Sequence, residues 1–178
     1  MKVRELMSHD VVRCSTWDDA NLAAQRMWDH DCGLVVVETP EGKLAGVVTD
    51  RDLCMAAYTR GQPLPLIRLV DVMSRDVVTC APEEDLPSVV LKLRLHQLRR
   101  LPVVDGNGAT VGVLALSDLA RRAALERGKV HPRMGLDTVA DTLAEVSRPR
   151  QEPPGAVPAV RRTLAAPEPR DSRPLISL

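Results

Sequence analysis

Two short stretches of the sequence carry a glycine, a hydroxyl side chain and an aspartate in the same order. Residues 46–53 read GVVTDRDL, and residues 112–119 read GVLALSDL. A repeated core element would need the glycine and the leucine of each stretch, but it would not need Asp52 or Asp118. A carboxylate placed where an apolar run ends and a helix begins can cap that helix or accept hydrogen bonds from a ligand.

The two stretches belong to a repeat that runs through most of the chain. LMSHDVVRCS at 6–15 aligns without gaps with VMSRDVVTCA at 72–81, sixty-six residues later. The same offset aligns His30 with His96, Val37 with Val103, Gly42 with Gly108 and Leu53 with Leu119. Similarity at one fixed offset predicts two units of the same architecture. We place them at residues 2–60 and 68–127.

In each unit, hydrophobic patterns typical of strands and of helices follow one another in the same order. The runs VVRC at 11–14 and VVTC at 77–80 are short and β-branched, which predicts strands. A helix, a hairpin with Gly or Asn in its turn, and a second helix follow. The predicted starts of these helices are Asp19 and Asp85, and then Asp50 and Ser117. The predicted order is β-α-β-β-α, twice, in two units that are too small to bury their sheets separately and should pack together.

Two predicted helices show their apolar face in the sequence. Leu86, Val89, Val90 and Leu93 form a stripe at helical spacing in the second unit. Residues 136–147 place Leu136, Val139, Ala140, Leu143 and Val146 on one face. This pattern predicts an amphipathic helix that packs either on the repeats or on a second chain. The rest, 148–178, has seven prolines and few large apolar side chains, which predicts a disordered tail.

The repeated motifs resemble those of paired CBS domains, also called a Bateman module. The features that carry the resemblance are the LM…DVV opening of the first unit, which reads VM…DVV in the second, RRLPVVDGNG at 99–108, and the GVVTDRDL ending. The resemblance covers residues 2 to about 127 and is to the stand-alone bacterial type. It implies an α/β (α+β) fold of two β-α-β-β-α repeats packed as a pseudo-twofold pair, with the C-terminal helix and tail added.

The resemblance also implies a function. Such pairs bind an adenosine-containing ligand, namely AMP, ADP, ATP or S-adenosylmethionine, in a cleft between the two repeats. They regulate other proteins and do not catalyse a reaction. We therefore expect a non-catalytic regulatory module that needs no cofactor, forms a homodimer and converts ligand binding into a conformational or assembly change acting on a target protein. The alternative is a stress-related interaction protein that keeps the CBS fold and binds no nucleotide.

The family motif consists of glycine, two residues, Thr or Ser, two residues and Asp. The first copy matches it through Thr49 and Asp52, whereas the second has Asp118 and a neighbouring Ser117 but carries Ala115 at the hydroxyl position. The resemblance implies that each aspartate accepts the two ribose hydroxyls, beside helix N–H groups that favour phosphates. We expect the site at Thr49 and Asp52 to be the better one. The alternative is that both aspartates only cap helices.

Three further residues are ligand candidates by resemblance. Arg100 stands before the Leu-Pro pair, where family members carry phosphate-binding basic residues, and Leu34 takes the equivalent place in the first repeat. Val12 and Val78 lie on the first strands, against which the family packs the adenine. A solvated arginine and ordinary core valines are the alternatives.

Composition limits the other classes of function. The chain of 178 residues has 24 Lys and Arg and 24 Asp and Glu, so its overall charge does not favour nucleic acid as a partner. No apolar run approaches the ~18–20 residues that cross a bilayer, and the N-terminus lacks a signal-peptide core. We therefore expect a cytoplasmic protein without a membrane partner.

The cysteines and histidines offer a weaker alternative. Cys14, Cys32, Cys54 and Cys80 have no CxxC spacing, which predicts buried free thiols. His30 and Cys32 lie close together, but no second pair with metal-ligand spacing accompanies them, so no metal site is predicted. A redox role would need Cys14 or Cys80, which occupy equivalent positions on apolar strands.

Overall fold

The computed structural model describes residues 1–130 and 132–149. Its strands are β1 (Arg13–Ser15), β2 (Leu34–Glu38), β3 (Leu44–Thr49), β4 (Arg100–Val104) and β5 (Thr110–Ala115). Its α-helices are α1 (Ala20–Asp29), α2 (Asp50–Arg60), α3 (Leu86–His96), α4 (Leu116–Leu125) and α5 (Leu136–Val146). The predicted disordered tail, 148–178, lies outside the described residues apart from its first two positions.

The first repeat has the predicted order of elements. β1 pairs in parallel with β2, and β2 pairs antiparallel with β3, so that β2 is the central strand. Val35 and Val48 face each other in the β2–β3 register, and both are fully buried. The two helices α1 and α2 contribute Ala23 and Leu53 to the same core. The mixed α/β class predicted from the sequence is therefore present in this repeat.

The second repeat lacks the first strand that VVTC predicts. β4 and β5 form an antiparallel pair, and Cys80 makes only an isolated parallel bridge to Val103. In the first repeat the Val36 N–H donates to the Val12 carbonyl oxygen at 3.0 Å. The equivalent donor in the second repeat would be Pro102, which has no N–H, so the ladder cannot extend beyond Cys80.

The helix starts follow from local chemistry. The Asp19 side chain accepts a hydrogen bond from the Leu22 N–H at 2.9 Å and so caps α1. Asp85 precedes α3 without a side-chain cap, and its carboxylate pairs instead with Lys2 at 3.0 Å. Pro87 lies in the first turn of α3, where the helix has no hydrogen bond to lose. α4 begins at Leu116, one residue before the predicted start.

Residues at or near the start of each repeat are buried in the core of the other repeat. Val3, at the N-terminus, is fully buried in the core of the second repeat. Ile67, in the connection between the repeats, and Leu69, at the start of the second repeat, are fully buried in the core of the first. Each core therefore depends on residues that the chain places outside its own repeat.

A pseudo-twofold axis passes between the two hairpin turns. Lys43 forms an antiparallel bridge with Ala109, its own equivalent under the offset of sixty-six residues. The Leu44 N–H donates to the Gly108 carbonyl oxygen at 3.1 Å across the same junction. The repeats therefore meet as a pseudo-symmetric pair, as the sequence predicts.

Helix α5 packs against α3 and α4 of the same chain. The Arg94 guanidinium on α3 donates to the Thr142 hydroxyl at 3.0 Å and to the Thr138 carbonyl at 3.1 Å. Thr142 and Val146 are buried, whereas Leu143 from the predicted apolar face is 49% exposed. Because Arg94 hydrogen-bonds to the side of α5 that carries Thr142, part of the predicted apolar face, including Leu143, points away from the core.

Candidate functional site

A cavity of about 300 Å³ lies between the two repeats. It brings together four of the residues proposed from the sequence, and these come from both repeats: Val12, Arg100, Ser117 and Asp118. The first repeat adds Ser8, Asp10, His30, Asp31, Cys32 and Leu34, and the second adds Val113, Ala115 and Arg121. Its volume is at the lower end of the range typical of small-molecule pockets.

Four pieces of backbone position these side chains. The segment before β1 supplies Val12, and the turn between α1 and β2 supplies His30 and Asp31. From the second repeat, the end of β5 and the first turn of α4 supply Ala115 and Asp118. Neither repeat could form the cavity by itself.

Asp118 is the most enclosed carboxylate of the cavity. Its side chain is 7% exposed, and its Oδ2 accepts a hydrogen bond from the Ala115 N–H at 2.7 Å. Its Oδ1 forms a charged hydrogen bond with the Arg121 guanidinium. Both oxygens of Asp118 therefore have protein partners, and the hydrogen bond to Oδ1 joins two oppositely charged groups.

Thr49 and Asp52 form a reciprocal capping box at the start of α2. The Asp52 Oδ2 accepts from the Thr49 N–H at 2.9 Å and from the Thr49 hydroxyl at 2.7 Å. The Asp52 N–H donates to the same hydroxyl at 3.3 Å. Among the described residues, the second oxygen of Asp52, Oδ1, has no hydrogen-bond partner, so it could accept one from a ligand.

Thr49, Asp52 and Val78 lie outside the cavity that contains Asp118. The pseudo-twofold relation makes them the equivalents of Ala115, Asp118 and Val12. The structure therefore separates the seven candidates into two groups, one for each aspartate, and Arg100 lies in the group of Asp118.

Arg100 occupies a junction between cavities. Besides the cavity at Asp118, it lines one of about 530 Å³ with Met27, Trp28 and Asp50, on the first repeat. It also lines one of about 260 Å³ with Leu143 of α5. Its side chain is exposed, so the guanidinium can reach solvent from the edge of β4.

Three charged side chains that line the cavity were not predicted from the sequence. Asp10 and Asp31 line it from the first repeat, and Arg121 lines it from the second. Arg121 could have been found, because a position three residues after Asp118 lies on the same side of a helix. Asp31 is harder to find, since it belongs to a turn whose place against the other repeat depends on the tertiary structure.

The cysteines do not form a reactive group. Cys14 and Cys80 are each 3% exposed, and burial raises the pKa of both thiols to about 11. A thiol with a raised pKa carries little thiolate at neutral pH and is a poor nucleophile. The predicted burial of the thiols holds for Cys14 and Cys80 but is wrong for Cys54, which is exposed on α2.

Within residues 1–130 and 132–149, no three His, Cys, Asp or Glu side chains are grouped so that they could hold a metal ion. In the same part of the chain, no helix combines the length and the apolar character that crossing a bilayer requires.

Comparison with protein families gives a match to both repeats. The family model of the CBS domain matches residues 3–58 and 69–125. The CBS domain-containing protein YhcV of Bacillus subtilis is 34% identical over 118 residues, which cover 66% of this chain and 82% of that protein. YlbB of the same organism is 32% identical over 120 residues, with 67% and 80% covered. A protein of Methanopyrus kandleri is 29% identical over 119 residues, and the match spans 61% of its length.

Solved structures share the fold. A conserved CBS domain protein of Thermoplasma acidophilum has a TM-score of 0.67 at 21% identity, over 82% of this chain and 75% of that one. The CBS domain pair of protein MJ0100, in complex with 5′-methylthioadenosine and S-adenosylmethionine, has a TM-score of 0.64 at 21% identity, with 71% and 98% covered. A CBS domain protein of Pyrobaculum aerophilum complexed with AMP has a TM-score of 0.63 at 23% identity, with 70% and 95% covered.

Proposed function

Because this chain belongs to the CBS-domain family, as its sequence motifs predict, we propose that it is a non-catalytic module that binds an adenosine-containing ligand between its two repeats. In this proposal the ligand is AMP, ADP, ATP or S-adenosylmethionine. Binding changes how the repeats pack, and this change regulates a target protein.

The observation that carries the proposal is the cavity at Asp118. It joins a buried carboxylate to a cationic side chain, Arg100, and to an apolar wall that includes Val12. A carboxylate suits ribose hydroxyls, a guanidinium suits phosphate and an apolar wall suits a base. These are the three parts of a nucleotide, and their combination in one cavity supports the proposal.

The ligands of two structural neighbours support the chemical class. The protein of Pyrobaculum aerophilum was solved with AMP, and the MJ0100 pair with 5′-methylthioadenosine and S-adenosylmethionine. All of these ligands contain adenosine. We extend this class, and no single ligand, to the present chain.

The cavity also suggests how binding could be transmitted. Its walls come from both repeats, so a ligand that touches both walls favours the packing in which they lie at the right separation. A ligand shifts an equilibrium only by its difference in affinity for the two states. A module without catalytic groups can therefore regulate a partner through the relative placement of its two repeats.

The proposal includes the homodimer expected from the family. Apolar side chains on α2 and α3 are exposed, and they would be covered by a second copy: Met55, Tyr58, Leu91 and Leu95. Light scattering of the purified protein across a range of concentrations tests this part. A monomer at all concentrations would contradict it and would leave the ligand proposal standing.

Calorimetric titration with AMP, ADP, ATP and S-adenosylmethionine tests the ligand proposal. The wild type is compared with Asp118→Asn and Asp52→Asn, which remove one carboxylate charge from each candidate site. Asp137→Asn serves as the matched control, because Asp137 is an exposed first-turn aspartate of α5 outside both sites. We expect binding of at least one ligand, weakened by about tenfold or more in one of the two site variants and unchanged in the control.

The titration also decides between nucleotide binding and the alternative function. Absence of heat and of any thermal shift with all four ligands would contradict nucleotide binding. It would favour a CBS-fold interaction protein that binds no nucleotide. A specific observation gives this alternative weight, since both oxygens of Asp118 already have protein partners.

A further inference from the structure

The two aspartates of the repeated motif differ in the residue that follows three positions later. Asp118 is followed by Arg121, whereas Asp52 is followed by Met55. Arg121 donates to Asp118 Oδ1, but Met55 has no group that could occupy the equivalent oxygen of Asp52. The repeats therefore present their carboxylates in two electrostatic states, one neutralised by an ion pair and one free on Oδ1.

The ion pair occupies the atom that a ligand would need. Asp118 Oδ2 is already held by the Ala115 N–H at 2.7 Å, which leaves Oδ1 as the oxygen with a removable partner. A diol that binds this carboxylate therefore competes with Arg121 for Oδ1, and a ligand that takes this oxygen over displaces the guanidinium. Displacement separates two opposite charges, one of which belongs to a side chain that is only 7% exposed. Burial makes such a separation costly unless the cation finds a new partner.

Arg121 is placed to find a new partner inside the same cavity. Its own side chain is 72% exposed, so it can change its rotamer without disturbing the core. It lines the cavity together with Arg100, the other cation there. Besides Asp118, the remaining titratable side chains that line the cavity are Asp10, Asp31, His30 and Cys32. The two acidic groups would repel an anionic ligand, which increases the need for both guanidinium groups.

We propose that Arg121 determines ligand specificity in this cavity by exchanging Asp118 for a phosphate group of the ligand. A phosphorylated adenosine compensates the guanidinium when the ribose takes over Oδ1. A neutral adenosine ligand also takes over Oδ1 but brings no anion to pair with Arg121. The cavity should therefore discriminate by phosphate and not only by base and ribose. This inference rests on the proposed function, and it concerns the same cavity.

The test compares AMP with adenosine, which differ only in the phosphate. All proteins carry Asp52→Asn, so that the titration measures the cavity at Asp118 alone. Arg121→Met is the main variant, because the chain itself uses methionine at the equivalent position of α2. Arg127→Met removes an exposed cation outside the cavity and controls for the general loss of charge. Circular dichroism and melting temperature show that each variant is folded.

We expect Arg121→Met to weaken AMP binding by about tenfold and to strengthen adenosine binding. The dissociation constant of adenosine divided by that of AMP should therefore fall by more than tenfold. Arg127→Met should leave this ratio unchanged. The ratio for Arg121→Lys should lie between those of the parent protein and Arg121→Met, because lysine keeps the charge but lacks the planar guanidinium group.

The outcomes separate the inference from the proposed function. If AMP binds and its preference over adenosine is the same with Arg121→Met, the inference is overturned and nucleotide binding stands. If both ligands lose affinity equally, Arg121 only supports the site, and the inference is again overturned. If neither ligand binds this cavity, the inference fails, and the titration of the wild type decides separately whether the protein binds nucleotides.

Discussion

Gly46 lies directly against the backbone of Ser74, in the segment that leads into the other repeat. A β-carbon on Gly46 would come within 2.7 Å of the Ser74 carbonyl oxygen, which is closer than real contacts allow. Gly112 stands in the same relation to Ser8, at 2.9 Å. The glycine of each motif therefore permits the close approach that joins the repeats, which explains why both stretches carry it.

The first prediction is that Gly46→Ala destabilises the pair. The new methyl group would push against the Ser74 carbonyl oxygen, which accepts from the Val47 N–H at 3.0 Å, while the Ser74 N–H donates to the Val47 oxygen at 2.9 Å. We expect the free energy of unfolding to fall by about 1–3 kcal/mol, the range for overpacking a tight contact. Urea denaturation followed by circular dichroism measures this loss.

Gly106→Ala is the matched control for this measurement. Gly106 has no heavy atom within 4 Å of the place a β-carbon would take, and its φ is not positive. Its replacement should change stability by less than about 0.5 kcal/mol. Equal losses in the two variants would mean that the contact with Ser74 is not the cause.

The second prediction concerns the hydroxyl that only one motif has. Thr49→Ala removes the hydroxyl that exchanges hydrogen bonds with Asp52, and it should cost about 1 kcal/mol of stability. Ala115→Thr supplies this hydroxyl to α4, where Asp118 already accepts from the backbone N–H of residue 115. It should therefore stabilise the protein by a similar amount.

Thermal and urea unfolding of these two variants and of their double variant checks the prediction. The two sites are in different repeats and share no partner, so their effects should add. Destabilisation by Ala115→Thr would show that α4 has no room for the cap. The same variant, titrated with nucleotide, tests the expectation that a hydroxyl at this position improves a site.

The third prediction concerns the reactivity of three of the four thiols, those of Cys14, Cys54 and Cys80. With an aromatic disulfide reagent at pH 7, Cys54 should react first, because it is exposed on α2. Cys14 and Cys80 should react only when the protein unfolds, since burial raises the pKa of both to about 11. Cys54→Ser should abolish the fast phase. Faster reaction of Cys14 in the native protein than in the unfolded chain would restore the redox hypothesis.

The same two thiols should make the folded protein less stable at alkaline pH. Their pKa in the folded state lies above the value of the unfolded chain, about 8.5. The stability that their protonated forms contribute is complete below that value and is lost as the pH rises toward 11. Replacement of Cys80 by Ala should therefore flatten the decrease in melting temperature over this range.

The elements of the fold could be predicted from the sequence because their periods are local. The stripe of Leu86 and Leu93 is buried in α3, and Asp19 caps α1. The loss of the strand at 77–80 could also have been foreseen, because Pro102 cannot donate to it. The burial of Val3 in the second repeat could not, since a short apolar segment does not show which core it will enter.

The candidate site shows the same division. The repeat motif identified both aspartates and their hydroxyl neighbours, because these residues follow one another in the sequence. The grouping of Val12 with Asp118 depends on the packing of one repeat against the other, which no local pattern encodes. The expectation that Thr49 and Asp52 form the better site stays a prediction, and the paired asparagine variants test it.

The last prediction concerns Glu126, which connects the end of α4 to the segment that leads into α5. Its carboxylate is 2% exposed, accepts hydrogen bonds from the N–H groups of Arg133 and Met134, and pairs with Arg122 at 2.9 Å. Burial would raise its pKa, but the two backbone hydrogen bonds and the charges of Arg122 and Lys129 outweigh burial and lower it. The stability that this group contributes is therefore present above its usual pKa and is lost as the pH falls below about 4.3 through the lowered value.

Glu126→Gln should therefore lower the melting temperature at pH 7, and the difference from the wild type should shrink as the pH falls below 4. Glu83→Gln is the control, because Glu83 forms an exposed pair with Arg4 and should have little effect at any pH. Hydrogen exchange adds a local measurement, with faster exchange expected at Met134, whose N–H bonds to Glu126 at 3.1 Å. A constant difference in melting temperature from pH 7 to pH 3 would show that the charge of Glu126 is not what holds this segment.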